Sequence, residues 1–462
     1  MRRLFAVLIA LAPALPALAT EVTTRTLDNG LEVVVLEDHR APVVVHQVWY
    51  KAGAADEPPG KSGIAHYLEH LLFKGTDDLE EGELSATVAR HGGSDNAFTH
   101  WDYTGYWQRV AADRLELMME MEADRMRDLQ IDDVDIATER EVILEERSQR
   151  VDSNPYRLFG EQKMAALYMN HPYGIPVIGW RHEMEALDLD DAMAFYRTYY
   201  APNNAILIVA GDVAPDEVFA LAEEHYGPLA PTAGLGPRER PQEPPQLVER
   251  RMTFEDPRIS EPYVSRDYLA PAREPGAQEE AAALVILSGI LGGNDFTSVL
   301  PRKLVHEDQT ALYAWSYYSA TSYDATSFGI GIQPVPGVGL EQAEAALDDA
   351  LAEFLEEGID DEQFERVKFQ LRAQRIYAED STRHLAERYG RGLTSGLTVE
   401  DVQAWPDVLQ AVTQEDVMAA ARAVLTRDRA VTGWGRAPAE TEEEAAAMDA
   451  SAPDAPVEEV TQ

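Results

Sequence analysis

The chain has 462 residues, 45% of them hydrophobic, enough for two or more domains that each bury a core of their own. It contains no cysteine, which excludes disulfides, cysteine-ligated zinc, thiolate nucleophiles and lipid attachment through an N-terminal cysteine. Its formal net charge of −43 argues against nucleic acid as a partner, because phosphates repel such a surface.

The first residues read as a secretory leader. Arg2 and Arg3 precede an apolar run from Leu4 to Leu15, and Ala17-Leu18-Ala19 fits a cleavage site before Thr20. The run is shorter than the ~20 residues a membrane span needs, which favours a cleaved signal over residues 1–19 rather than an anchor. A periplasmic or secreted mature chain is therefore expected. Thr23 to Leu27 and Leu31 to Glu37 then alternate around Asp28-Asn29-Gly30, a hairpin signature, and Val43 to Ala52 reads as a further strand. Ser62 to Lys74 reads as a helix, with Ile64, Leu68, Leu71 and Leu72 at helical spacing and Ser62 as its N-cap. A second helix is expected over Leu79 to His91, and two strands turning near Asp102 over Asn96 to Val110. Helices follow over Ala112 to Leu129, Asp132 to Arg150, Pro155 to Met169 and Asp190 to Tyr199. An apolar strand over Asn204 to Ala210 and a helix over Pro215 to Tyr226 close this half.

Pro228 to Gln246 is rich in proline and glycine and reads as a linker. Beyond it, strands are expected at Arg251 to Phe254, Tyr263 to Leu269 and Ala430 to Gly435, and a strand pair over Tyr313 to Gln333. Helices are expected at Glu279 to Leu291, Leu340 to Leu355 and Asp361 to Arg391. Both halves open with strands, pass through long helices and end in helix then strand, a distant internal repeat. The expected division is a first domain over 20–230, a linker over 231–248, a second domain over 249–437 and a disordered acidic tail over 438–462. The acid is spread along the whole chain. That favours a solvated surface of the salt-adapted kind over an acidic chamber that attracts cationic peptides.

The chemistry centres on His66-Tyr67-Leu68-Glu69-His70. On a helix, residues four apart lie on one face, so both imidazoles can reach one zinc ion. Glu69 lies near that face and can take a proton from water without being a ligand; this order occurs among metallopeptidase motifs. A catalytic zinc takes three protein ligands and keeps one position open. The third ligand is best sought in the helix that carries Glu139 and Glu146, which are seven residues apart and share a face. Val142 and Ile143 between them are expected to pack on the core. Glu141 and Glu145 fit a solvated acidic face.

Five segments resemble the M16 metallopeptidases, the family of pitrilysin, insulin-degrading enzyme and the mitochondrial processing peptidase. They are Gly63 to Thr76 (GIAHYLEHLLFKGT), Gly92 to Thr104 (GGSDNAFTHWDYT), Glu139 to Glu146 (EREVILEE), His171 to Gly179 (HPYGIPVIG) and Tyr199 to Gly211 (YYAPNNAILIVAG). The resemblance implies a zinc-dependent endopeptidase acting on peptides or unfolded polypeptides, with one zinc ion held by His66, His70 and Glu146. It implies Glu69 as general base and groups Glu139 with it as an accessory carboxylate. It implies an α+β fold of two similar α/β halves around a chamber, each a mainly antiparallel sheet packed with helices, joined by the Pro-rich linker. Substrate would lie beside an edge strand that includes Asn96, Ala97, Phe98 and Thr99, held by backbone bonds.

The second half departs from the family pattern. Active members carry an Arg and a Tyr at fixed spacing there or in a partner subunit; here Val305 and Leu312 stand at those positions, or His306 and Tyr313 with a shift of one, and Arg302 is off-register. The chain thus resembles the zinc-carrying subunit of a two-chain enzyme, with a second M16-like subunit or a second copy as partner. The alternative is a non-catalytic M16-like structural or binding subunit, but such chains usually lack one or more of the ligands present here. A metal-storage or transport role is weaker still, since no His-rich tract is present.

Overall fold

A computed structural model describes residues 22–438; the leader expected over 1–19 and nearly all of the tail expected over 438–462 lie outside the described residues. The first half begins with β1 (Val22–Thr26), β2 (Glu32–Glu37) and β3 (Val43–Tyr50), then α1 (Ile64–Leu71), α2 (Glu83–Arg90), β4 (Ser94–Thr99) and β5 (Thr104–Ala111). It continues through α3 (Leu115–Arg127), α4 (Asp133–Arg147), α5 (Pro155–Leu167), α6 (Arg181–Met184) and α7 (Leu189–Tyr199) to β6 (Ala205–Gly211) and α8 (Pro215–His225). The second half runs β7 (Arg250–Glu255), β8 (Tyr263–Ala270), α9 (Glu279–Gly292), β9 (Ala311–Tyr318), β10 (Thr326–Pro334), α10 (Leu340–Glu357) and α11 (Asp361–Ala378). It ends with α12 (Thr382–Thr394), α13 (Val399–Ala411), α14 (Gln414–Val424) and β11 (Val431–Arg436).

The sheets have orders β1-β2-β6-β3-β5-β4 and β7-β11-β8-β10-β9. Without β1 the two orders coincide strand for strand. Each has one parallel pair, β2 with β6 and β7 with β11, in an otherwise antiparallel sheet. This is the expected internal repeat, and the α+β class of two similar halves holds.

Both faces of the first sheet are apolar because side chains alternate along each strand. Val33, Val35, Val44, Val48, Leu207 and Val209 face the half's own helices. Val34, Leu36, Trp49, Ile206 and Ile208 face the other way and pack against Leu385, Ala386 and Tyr389 of α12, from the second half. The exchange is reciprocal: α5 lies on the second sheet, with Phe159 stacked on Phe254 at 5.3 Å and pressed against Gly433. Each half therefore supplies the helix that covers the other's sheet.

Several local expectations differ. The helix expected over Asp361 to Arg391 breaks at Glu379–Ser381, where the Ser381 side chain accepts from the His384 amide and starts α12. The helix through Arg150 ends at Arg147 and passes into a π-helical turn over Ser148–Asp152. Val142, expected in the core, is 47% exposed, while Ile143 is buried. The turn near Asp102 lies where expected, between β4 and β5, and the Asp102 side chain is fully buried. The linker is no free tether, for Arg240 is buried and pairs with Asp56 (2.9 Å), Asp102 (2.6 Å) and Asp324 (3.2 Å), drawing in both halves. A buried guanidinium needs such partners.

Candidate metal centre

Helix α1 turns Ile64, Ala65, Tyr67, Leu68 and Leu71 into the core and leaves Glu69 and His70 half-buried on its other side. The Tyr67 hydroxyl donates to the Ile136 carbonyl, which pins α1 to α4. Ser62 is not the expected N-cap; its hydroxyl accepts from the Trp180 amide instead. Gly63 occupies the cap position in a left-handed conformation, where a Cβ would lie 2.7 Å from the Ile178 carbonyl oxygen. The helix start is satisfied from outside: the Glu57 carboxylate accepts from the amides of Gly63 and Ala65, both at 2.9 Å. Sequence reasoning missed Glu57. The available signal was a carboxylate just ahead of a helix that lacks a capping residue of its own.

Glu146 comes from the last turn of α4. Its Oε2 lies 3.6 Å from Nε2 of His66 and 3.3 Å from Nε2 of His70. Ligand atoms of these three residues fall within 4.8 Å of one another, the one such group among the described residues. Oε2 of Glu146 is sealed from solvent and accepts no well-formed hydrogen bond among the described residues. Its other oxygen is held by Arg150 at 2.5 Å. The next residue, Arg147, is buried and ties α4 to α5 through Glu161 (2.9 and 2.8 Å) and to the Gly179 carbonyl (2.8 Å). Arg147 and Arg150 also went unrecognised in the sequence.

Glu139 sits behind His70, its Oε1 2.9 Å from Nδ1 and its other oxygen 3.1 Å from Lys74. It touches the back of the ring, not the cavity, and directs Nε2 of His70 toward Glu146. Burial pushes the His70 imidazolium down, but contacts with Glu139 and Glu146 and the charge of Glu69 outweigh it and lift the ring to about 9. Burial and the His70 charge hold His66 at about 4, neutral and able to donate a lone pair. Two imidazoles beside three carboxylates thus form a pocket that demands positive charge, and the N,N,O donor set fits zinc.

These groups open into a cavity of about 1290 Å³ lined by Asn96, Ala97, Phe98 and Thr99 of β4 and by Val142, Arg150 and Arg157. β4 is the outer strand of its sheet, so its far edge is unpaired among the described residues. The Thr99 hydroxyl donates to Glu69 at 2.6 Å. Burial raises the Glu69 carboxyl above its ordinary value of 4.5, partly countered by Thr99 and His70. Among the described residues, the lining comes entirely from the first half. Val305 packs on the second core and Leu312 is exposed. His306 stacks on Phe296, Tyr313 faces another cavity, and Arg302 meets Glu307 at 3.7 Å.

The comparisons with known proteins agree with this architecture. The model described as insulinase (peptidase family M16) matches residues 32–180, and that described as the peptidase M16 inactive domain matches 186–371. An uncharacterised zinc protease of Mycobacterium bovis is 30% identical over 432 residues, covering 90% of this chain and 93% of the relative. The chain belongs to the M16 peptidase family. The zinc protease PqqE of Helicobacter pylori is 34% identical over 294 residues, 63% of this chain; the match takes in 65% of that relative's length, just under two thirds. The M16 fold recurs in the crystal structure of a protease from Helicobacter pylori, with a TM-score of 0.83 and 27% identity over 90% of this chain and 100% of that one. The split between the two M16 descriptions mirrors the geometry: the metal-ligand set lies wholly in residues 32–180.

Proposed function

We propose that this M16 chain is a zinc-dependent endopeptidase of peptides or unfolded polypeptides, with one zinc ion held by His66, His70 and Glu146 and with Glu69 as general base. The observation that carries this reading is the convergence of two imidazole Nε2 atoms and Oε2 of Glu146 at the wall of a cavity that also holds Glu69. Bound there, zinc would supply Lewis acidity, lowering the pKa of water and polarising the scissile carbonyl. Glu69 takes the proton of the attacking water as its oxygen bonds to the carbonyl carbon. It returns that proton to the leaving nitrogen as the C–N bond breaks. Thr99 orients Glu69, and Glu139 acts through His70. Asn96 to Thr99 offer the backbone edge along which substrate is held.

The reading extends to a domain division with the zinc-binding domain over 20–230, a linker over 231–248 and a second domain over 249–437. It also extends to a partner. No second-half residue reaches the metal cavity among the described residues, and Val305 and Leu312 stand in place of the Arg and Tyr of active members; with a shift of one, His306 and Tyr313 still lack the Arg. A second M16-like subunit or a second copy would supply them. Export to the periplasm or outside the cell rests on the leader-like residues 1–19. No helix among the described residues is long and apolar enough to cross a membrane.

The test is hydrolysis of a quenched peptide by the purified chain, alone and mixed with candidate partner chains, with and without chelator. Activity that needs zinc, and that falls about 10²–10⁴-fold in Glu69→Gln while zinc stays bound, is the expected result. Full activity in Glu69→Gln would refute the role of Glu69. A chain that takes up no zinc would be the non-catalytic subunit.

A further inference from the structure

β10 carries glycine at alternate positions, Gly329 and Gly331, and β9 places Tyr317 and Trp315 directly opposite them. A Cβ at Gly329 would lie 2.0 Å from the Tyr317 ring, and one at Gly331 would lie 2.1 Å from that of Trp315. The rings therefore lie flat across the glycines instead of standing off the sheet. Tyr263 does the same over Gly435, where a Cβ would come within 2.3 Å. Tyr313 stacks on Trp315 with centroids 5.6 Å apart and planes 17° apart. The result is a sheet face paved with aromatic rings.

The paving is only partly covered. α5 crosses the same sheet chiefly over β11, β7 and β8. Tyr313 and Tyr317 each remain 45% exposed. Between α5 and the rings lies a cavity of about 530 Å³, walled on the helix side by Tyr156, Gly160 and Lys163. Its one buried cation is already matched, since Lys163 donates to Ser265 (2.6 Å) and Asp267 (2.8 Å) and the Tyr317 hydroxyl donates to Asp267 as well. Open ring faces over a floor whose Lys163 is paired, with the exposed Glu261 at the edge accepting from Gln333 at 2.6 Å, favour a planar apolar group over a charged one.

α5 also borders the metal cavity, through Asn154 and Arg157 at its start. At 1.5 Å per residue, that pair and Gly160 with Lys163 stand about 5–14 Å apart along the helix. An extended peptide covers this in roughly two to four residues. We propose that the aromatic-lined cavity of the second half is a peptide subsite that takes an aromatic side chain of the substrate, a few residues beyond the edge of the metal cavity. This rests on the peptidase reading for the position of the cleaved bond, but not for the binding itself.

The test uses the zinc-loaded full chain and a set of decapeptides in which one phenylalanine is moved through an otherwise alanine- and serine-based sequence. At positions reaching the cavity, phenylalanine should raise kcat/KM about tenfold over alanine. Tyr313→Ala and Trp315→Ala should each erase that gain, bringing kcat/KM of the phenylalanine and alanine peptides to the same value. Tyr313 is exposed enough that its loss should leave the fold intact, which keeps the test meaningful if the Trp315 variant unfolds. Binding of the same peptides, fluorescein-labelled, to the Glu69→Gln chain is read by anisotropy. A phenylalanine-dependent gain in binding to this variant, with no hydrolysis of the same peptides by the parent chain alone or with a partner chain, would sink the peptidase reading and leave the subsite standing. The absence of any phenylalanine preference, its survival in both variants, or a preference for arginine at the same positions would overturn the subsite. So would a shift of the monomer–dimer equilibrium in Tyr313→Ala without a change in peptide preference, since a second copy would then be the occupant.

Discussion

Glu57 shows how much of the site depends on residues outside its motif. Two amides at the start of α1 converge on its one carboxylate, and α1 has no side-chain cap of its own. In Glu57→Gln the amide group keeps one acceptor oxygen and turns two donors toward the second backbone N–H. The unsatisfied donor costs about 1–3 kcal/mol. The expected outcome is a lowered melting temperature together with weaker zinc binding in a chelator competition, because the helix that carries both imidazoles frays from its start. An unchanged zinc affinity would show that the cap serves stability alone. His66, Glu69 and His70 were legible because their spacing is local, and one helix turn brings them together. Glu146 followed from its spacing to Glu139 and the family pattern. Arg147 was not legible, since only the tertiary fold brings Glu161 and the Gly179 carbonyl near it, whereas Glu57 ahead of an uncapped helix and Arg150 four residues after Glu146 left local marks that went unread.

Among the elements, α10 is clamped to the second sheet by charge. Glu344 of α10 accepts from Arg251 of β7 (2.7 and 2.6 Å) and from the Trp434 indole of β11 (2.7 Å), and pairs with Arg266 of β8 at 3.1 Å. Burial pushes the Glu344 carboxyl up, but these bonds and the Arg251 and Arg266 charges overcome it and hold it at about 2. Its ordinary value is 4.5, so the folded chain binds this proton more weakly than the unfolded one. The stabilisation is therefore complete above pH 4.5, is lost as pH falls toward 2, and amounts to roughly 3 kcal/mol at neutrality. Stability measured against pH should lose this contribution between those limits, and Glu344→Gln should flatten that part of the curve. An unaltered acid limb in the variant would contradict the assignment. At this scale the strands were read well, because buried alternation is a strong signal. The break between α11 and α12 was not, because a helical pattern runs through Asp361 to Arg391 and only the Ser381 cap divides it. The covering of each sheet by the other half's helix left no local mark at all.

Over the whole molecule the two halves are held by this helix exchange and by the buried charges around Arg240. Removing that guanidinium leaves Asp56, Asp102 and Asp324 facing one another without a counter-charge. Arg240→Met should therefore destabilise the chain by about 3–5 kcal/mol, read as a lower midpoint in urea. A midpoint within a few tenths of a molar of the parent would show the cluster to be dispensable. The linker's composition signalled a tether, and the structure packs it as a strut, because arginines interleave with its prolines and find acids on both sides.

Hydrolysis at this site needs a divalent ion between the two imidazoles and Glu146. An anomalous-difference map at the zinc edge, from crystals of the full chain grown with zinc, tests this directly. One peak within about 2.0–2.2 Å of Nε2 of His66, Nε2 of His70 and an oxygen of Glu146 is the predicted result. A map with no density there, or with the ion bound elsewhere on the acidic surface, would contradict it.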